Sequence, residues 1–208
     1  HGPLALNAVL AIGTQVAEGD EVRVDGQVLA IRAAKPGARR HVYIALNKPV
    51  GITCTTDTTV KGNIVDFVGH QQRIFPIGRL DKASEGLLLF SNDPEWAARI
   101  TDPATGPDKT YHVQISAAPD AELLQRLVAG INCEDGRLAA KSATLIRSGE
   151  KNAWLEIVLD EGRNRHIRRL LKAHGMGVLR LIRIAIGPLQ LGTLPKGQWR
   201  WLEPHEYR

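Results

Sequence analysis

The residues best suited to chemistry lie in one stretch, FPIGRLDKASEGLLLFSND, residues 75–93. Asp81 sits there between Arg79 and Lys82, just ahead of the apolar run at 86–90. A carboxylate at the edge of a buried strand costs free energy unless it is hydrogen-bonded or paired. Paired with a cation it stays ionised and aimed, which makes it a potential nucleophile. The ordinary alternative is a turn aspartate, or a surface pair with Lys82, because most aspartates are exposed. A second feature is Tyr111 in KTYHVQI (109–115), on the same strand face as Val113 and Ile115 and so directed inward. A buried phenol normally finds a hydrogen-bond partner, and a plain core tyrosine is the simpler reading of that position alone. The third is EGRNRHIRRLLKAHG (161–175). Ile167, Leu170, Leu171 and His174 form one apolar helical stripe, with Arg165, Arg168, Arg169 and Lys172 on the adjoining face. No acid lies between Arg163 and Lys172 to relieve the repulsion. Either the face is solvated, or a polyanion covers it, or one arginine turns inward to meet a buried acid. Arg168, beside Ile167, is the candidate to turn. The three features together describe an Asp81–Arg168 pair with a phenol nearby, at the mouth of a cleft rimmed by cations that suit phosphates. That is a nucleic-acid site with a carboxylate nucleophile, and the residues alone do not name the reaction.

Positioning these groups requires a scaffold, and the pattern supplies one. Residues 42–46 (VYIAL), 86–91 (GLLLFS), 109–115, 153–160 (AWLEIVLD) and 177–187 (GVLRLIRIAIG) read as strands. Helices are expected over 63–70, over 93–102 behind an Asp-Pro start, over 120–130 ending at Gly130, and over 164–174. Strands interspersed with helices in this order predict an α+β fold around a largely antiparallel mixed sheet with flanking helices. Ahead of it, VAEGDEVRVDGQVLAI reads as a hairpin with Val22, Val24 and Val28 alternating around Asp25-Gly26. The division expected is a small first segment over 1–34, a basic linker over 35–41 and a main domain over 42–208.

Composition narrows the class. The chain has 208 residues, 43% hydrophobic and 24% charged, as in an ordinary globular protein with a real core. Its net charge of +5 is weak evidence for a polyanion by itself, but the basic residues cluster at 35–41 and 161–175. No apolar run is long enough to span a membrane. The two cysteines, Cys54 and Cys133, are far apart and no zinc-like spacing occurs, so no metal and a reduced, cytoplasmic setting are expected.

The segments LNKPVGITCTT (46–56), FPIGRLDKASEGLLLFSND, KTYHVQI and EGRNRHIRRLL (161–171) occur in an order and spacing that resemble the RsuA family of RNA pseudouridine synthases. NIVDFVGHQQRIFPIGRLDKASEGL is most similar to its branch that includes the large-subunit ribosomal RNA enzyme RluF. The resemblance runs from Tyr43 to about Pro204. The first segment resembles the C-terminal half of an S4-type RNA-binding domain, without the helices that precede it there. His166 and Leu171 depart from the family's usual glutamine and methionine. The resemblance implies a pseudouridine synthase fold and isomerisation of a uridine in structured RNA, without cofactor. Large-subunit (23S) ribosomal RNA is the leading target. tRNA or small-subunit ribosomal RNA is the alternative, and a non-catalytic RNA-binding or ribosome-assembly module the rival. It implies that Asp81 is the catalytic aspartate, that Arg79 enters the RNA stack where the uridine leaves, that Tyr111 contacts the base, and that Arg168 pairs with Asp81. Lys48, Arg163 and Arg165 are then expected to face RNA, and Leu181 to wall the uracil pocket. A monomer is expected.

Overall fold

The computed structural model describes residues 22–24, 27–29, 41–57 and 59–207. Contacts divide the chain into two units, His1–Arg40 and His41–Arg208. In the first, Val22–Val24 (β1) and Gln27–Leu29 (β2) pair antiparallel. The register sets Val28 opposite Arg23, and Val28 is 54% exposed. The hairpin expected from sequence is therefore present.

The second unit runs through Tyr43–Lys48 (β3), Ile64–Val68 (α1), Phe75–Ile77 (β4), Glu85–Ser91 (β5), Pro94–Thr101 (α2) and Lys109–Ile115 (β6). It continues with Leu123–Ala129 (α3), Ile131–Cys133 (β7), Gly136–Leu138 (β8), Ser142–Ser148 (β9) and Ala153–Leu159 (β10). His166–Ala173 (α4), Val178–Ile186 (β11), Leu189–Gln190 (β12), Trp199–Trp201 (β13) and Pro204–Tyr207 (α5) complete it. A nine-stranded sheet is ordered β13-β3-β5-β11-β6-β10-β9, with β4 added to β5 and β12 to β11. Its pairs are antiparallel except β5–β11, so the α+β, largely antiparallel expectation holds. No described helix is long and apolar enough to cross a membrane.

Strand β5 is the axis of the site. Every residue from Glu85 to Ser91 is buried, because cores cover both sheet faces there. Leu88 and Phe90 join one core with Ile44, Leu46, Val113, Leu155 and Ile167. Leu87 and Leu89 join the other with Ala45, Trp96 and Ile186. This explains an unbroken apolar run where a one-sided strand would alternate. Along one edge β5 pairs with β3 throughout. Along its other edge it pairs with β11 at Glu85 and Gly86, then with β4 from Leu89 to Ser91. The sheet thus opens between β11 and β4, and the loop carrying Asp81 runs across the opening. Gly86 makes the β5–β11 approach possible. It has φ +103°, and a Cβ there would lie 2.3 Å from the Arg183 carbonyl oxygen.

Helix ends follow local chemistry. Asp93 caps α2 by accepting from the backbone N–H groups of Glu95 and Trp96, with Pro94 in the first turn. Asn63 caps α1 through the Asp66 N–H, and Gly69 closes it in the left-handed region at φ +60°. Strand β9 escaped the sequence reading because it lies at a sheet edge and is mostly exposed, so it has no apolar face to show.

Candidate active site

The loop between β4 and β5 brings Asp81 to a cavity of about 680 Å³. Arg79, Tyr111, Arg163, Arg165 and Leu181 line the same cavity, so groups from four distant parts of the sequence meet. The Asp81 side chain is 30% exposed, less enclosed than a fully buried acid but open to the cavity. Its Oδ2 lies 3.4 Å from Arg165 Nη1 and 3.9 Å from Arg168 Nε.

The two arginines differ. Arg168 does turn inward, as its place beside the apolar stripe suggested, and its side chain is largely buried. Its Nη2 donates to the Ala83 carbonyl at 3.0 Å and to Ser84 Oγ at 3.3 Å, while Nε is buried with no hydrogen-bond partner among the described residues. The distance from Nε to Asp81 is too long for a hydrogen bond, so Arg168 acts on the carboxylate as a nearby charge and braces its loop. Burial lowers the Arg168 pKa and neighbouring Arg165 adds to this, with Asp81 opposing, but a guanidinium stays charged. Arg165 is the nearer cation and is half-exposed. It occupies the N-cap of α4 at φ 49°, and no other described non-glycine residue has positive φ. A side chain in that region is strained. Here the conformation sets the start of α4 so that Arg165 and Arg168 both reach Asp81.

Lys48 overturns its expected role. It is 0% exposed and cannot face RNA. Its ammonium donates to the carbonyls of Pro49 (3.0 Å), Asp81 (3.1 Å) and Ser84 (2.8 Å). All three of its donors are used, which is the condition for burying an ammonium. Burial lowers its pKa, and the charges of Asp81 and Glu85 act in the other direction. Lys48 is thus an internal clamp on the Asp81 loop. A lysine next to Pro-Val-Gly carries no sequence signal of burial, and the RNA-facing role came only from the family resemblance.

Arg163 is more engaged than expected. Its Nε donates to Glu161 and its Nη1 to the Asp135 carbonyl, both at 2.9 Å. Arg169 pairs with the Asp135 carboxylate. Arg163 therefore finds a local acid and a distant carbonyl, and Arg169 finds an acid from a separate segment that the local sequence could not reveal. Arg79 is exposed on the cavity and has no side-chain hydrogen bond or ion pair among the described residues. Tyr111 is buried in body, yet its hydroxyl makes no hydrogen bond with any described residue. The usual partner of a buried phenol is missing where the phenol borders the cavity, so the group is free for a ligand. Leu181 is buried opposite Val113 in the β11–β6 ladder and lines the cavity together with Tyr111 as an apolar wall. Sequence reading missed Ser84, Lys109 and Arg183, which also line this cavity. Lys109 and Arg183 sit in strand patterns that read simply as sheet.

An oriented carboxylate, a free phenol, an apolar wall and exposed arginines can hold a planar base against a nucleophile and its phosphates at the rim. Residues 42–173 match the RNA pseudouridylate synthase family. The chain is 38% identical to the dual-specificity RNA pseudouridine synthase RluF of Escherichia coli over 99% of its own length and 69% of that protein. It is 36% identical to the ribosomal large subunit pseudouridine synthase B of Bacillus subtilis, over 96% of its length and 81% of that protein. A solved pseudouridylate synthase superposes with a TM-score of 0.72 at 26% identity, covering 93% of this chain and 81% of the other. Family match, identity and fold agree with the cavity: the chain belongs to the RNA pseudouridylate synthase family and is an RNA pseudouridine synthase, an isomerase.

Proposed function

We propose that the enzyme isomerises a uridine of large-subunit ribosomal RNA, with Asp81 as its catalytic carboxylate. The observation that carries this is Asp81 at the cavity beside two guanidinium groups that orient it without occupying both its oxygens. In this reading the uridine leaves the RNA stack, at a cost of a few kcal/mol. Arg79, exposed and unpartnered among the described residues, takes the vacated place in the stack. The base packs between Tyr111 and Leu181, and Asp81 acts either at C6 of the base or at C1′ of the sugar. Arg165 orients Asp81 and meets phosphate at the rim, and Arg163 flanks it. Arg168 holds the loop and the charge. The glycosidic bond breaks at N1–C1′, the uracil turns, and C5 joins C1′.

The ribosomal target is supported by the name of the Bacillus subtilis relative, and tRNA is the alternative. We place the action in the cytoplasm, on a monomer, with residues 42–208 as the catalytic domain. In the same reading, residues 1–34 are an S4-like RNA-binding segment joined by a basic linker over 35–41.

The test is release of tritium from RNA labelled at uridine C5, since C5 loses its hydrogen when the new bond forms. Separate 23S, 16S and tRNA substrates are to be compared, and release from 23S RNA is expected. Release from tRNA alone would move the target. No release from any of them, with RNA still bound, would leave a binding module.

A further inference from the structure

The cavity holds two more cations that the pairing around Asp81 does not use. Arg183 lies opposite Tyr111 in the β11–β6 ladder, and Lys109 shares the cavity face of β6 with Tyr111. Arg183 is 5% exposed. Its Nε donates to the Leu87 carbonyl at 2.8 Å, where β5 has lost β11 and not yet gained β4, and its Nη1 reaches the Arg79 carbonyl at 3.4 Å. Its Nη2 is buried with no hydrogen-bond partner among the described residues. Lys109 has no side-chain hydrogen bond or ion pair there either. Burial and neighbouring Arg183 hold its ammonium below the usual lysine range, and Asp108 and Asp160 offset this only in part. Asp108 is itself bonded to Lys141 at 2.7 Å.

Two like charges side by side in this half-closed cavity are offset only in part by the carboxylates around it, so further negative charge placed between them is favoured. A phosphodiester continues into nucleotides on both sides, so it stays at the rim, where Arg79 and Arg165 are exposed. The part of RNA that can reach Arg183 is a base turned out of the stack.

We propose that Lys109 and Arg183 hold the carbonyl edge of the uracil and neutralise the negative charge that develops on it during isomerisation. The inference rests on reading the cavity as the uridine site. Charge appears on the ring by either route open to Asp81. Addition of the carboxylate at C6 breaks the C5–C6 π bond and sends its electron pair toward O4. Direct cleavage of N1–C1′ leaves the pair on N1, shared with O2 and O4. C5 then bonds to C1′, the bond to the Asp81 carboxylate breaks and returns its electron pair to that oxygen, C5 loses its proton and N1 gains one, so atoms and electrons balance without a further reactant. Fixed cations in a water-poor pocket stabilise such charge without having to reorganise.

The experiment is single-turnover tritium release with excess enzyme, alongside RNA affinity and its salt dependence, for Lys109→Met and Lys109→Arg. Lys109 donates to no backbone group, so Lys109→Met tests charge with little effect on the loop. Release at saturating enzyme is expected to slow on the order of 100-fold in Lys109→Met. The RNA dissociation constant should move less than about threefold, with an unchanged salt slope. Lys109→Arg, which keeps the charge, should recover most of the rate. Weaker binding with a salt slope reduced by about one and an unchanged saturating rate would place Lys109 on a phosphate and overturn the proposal. Equal rates in the two variants, both slow or both normal, would overturn it as well. If Lys109→Met does not fold, Lys109→Gln carries the same comparison. Failure of the underlying reading looks different: the native protein would release no tritium from any RNA, or Asp81→Asn would keep its rate.

Discussion

Two carboxylates stand near one another in the chain, and the protein treats them in opposite ways. Glu85 opens β5 and its side chain is 5% exposed. Arg180 donates to both of its oxygens at 3.1 Å, and Lys196 approaches Oε1 at 2.6 Å. Burial alone would raise its pKa, but the bonds to Arg180 and Lys196 prevail and hold the carboxyl below its usual range. Asp81 has two arginines nearby as well, yet neither is closer than 3.4 Å and one spends its donors on the loop backbone. Both oxygens of Glu85 are bonded, and only Oδ2 of Asp81 is. A structural carboxylate is stabilised by using every lone pair. The role proposed for Asp81 requires an oxygen left open and a fixed direction, and supports attached to the loop around it meet that requirement. Lys48, Arg168 and Arg183 do this through the carbonyls of Arg79, Asp81, Ala83 and Ser84.

The contrast can be broken experimentally. The largest effect is expected from Asp81→Asn, which should lower tritium release by more than about 1,000-fold while the RNA dissociation constant stays within about threefold. Retained turnover would remove Asp81 from the chemistry and make the two acids equivalent. Next comes Lys48→Met, which strips donors from buried carbonyls and should cost about 2–4 kcal/mol in urea unfolding, with slower turnover as the loop loosens. Undiminished stability would show that the loop is held from elsewhere. Glu85→Gln should cost about 1–2 kcal/mol and leave turnover per folded molecule within about threefold of native. A loss like that of Asp81→Asn would erase the distinction.

The smallest effect is a pH dependence. The folded pKa of Glu85 lies below its ordinary 4.5, so its stabilisation is complete above that pH and is lost as pH falls through the folded value. The difference in unfolding temperature between native protein and Glu85→Gln should therefore shrink as pH drops below 4.5. A difference that stays constant on acidification would show that Glu85 is held by shape and not by charge. Glu206, whose pKa is lowered to about 2 chiefly by hydrogen bonds from Arg200, serves as an internal comparison at the far edge of the sheet.

Much of the site was legible before any coordinates. Asp81 stood out because an acid adjoined an apolar run, and Tyr111 because strict alternation directed it inward. Arg168 stood out because a basic face adjoined an apolar stripe. These are local signals of period and type. Lys48, Arg183 and Glu85 left no such trace. A buried lysine, arginine or glutamate looks in sequence like a surface one, since its partners come from other strands. The same holds for Arg169 and for one bond of Arg163, both of which find acceptors on the distant Asp135. Strand β9 shows the limit for the fold: with little apolar face, periodicity has nothing to report.

The amino-acid order by itself determined where the long inner strands and the longer helices form, and singled out Asp81 and Tyr111 as candidates with cations around them. Those follow from side-chain period, capping and charge spacing, which act over a few residues. Only the tertiary structure decided which cations are buried clamps, which are exposed rim and which wait in the cavity without a partner. That assignment depends on Gly86 letting β11 come close to β5 and on the sheet opening beyond it toward β4. Burial and pairing are properties of contacts between distant segments, and no stretch of sequence carries them alone.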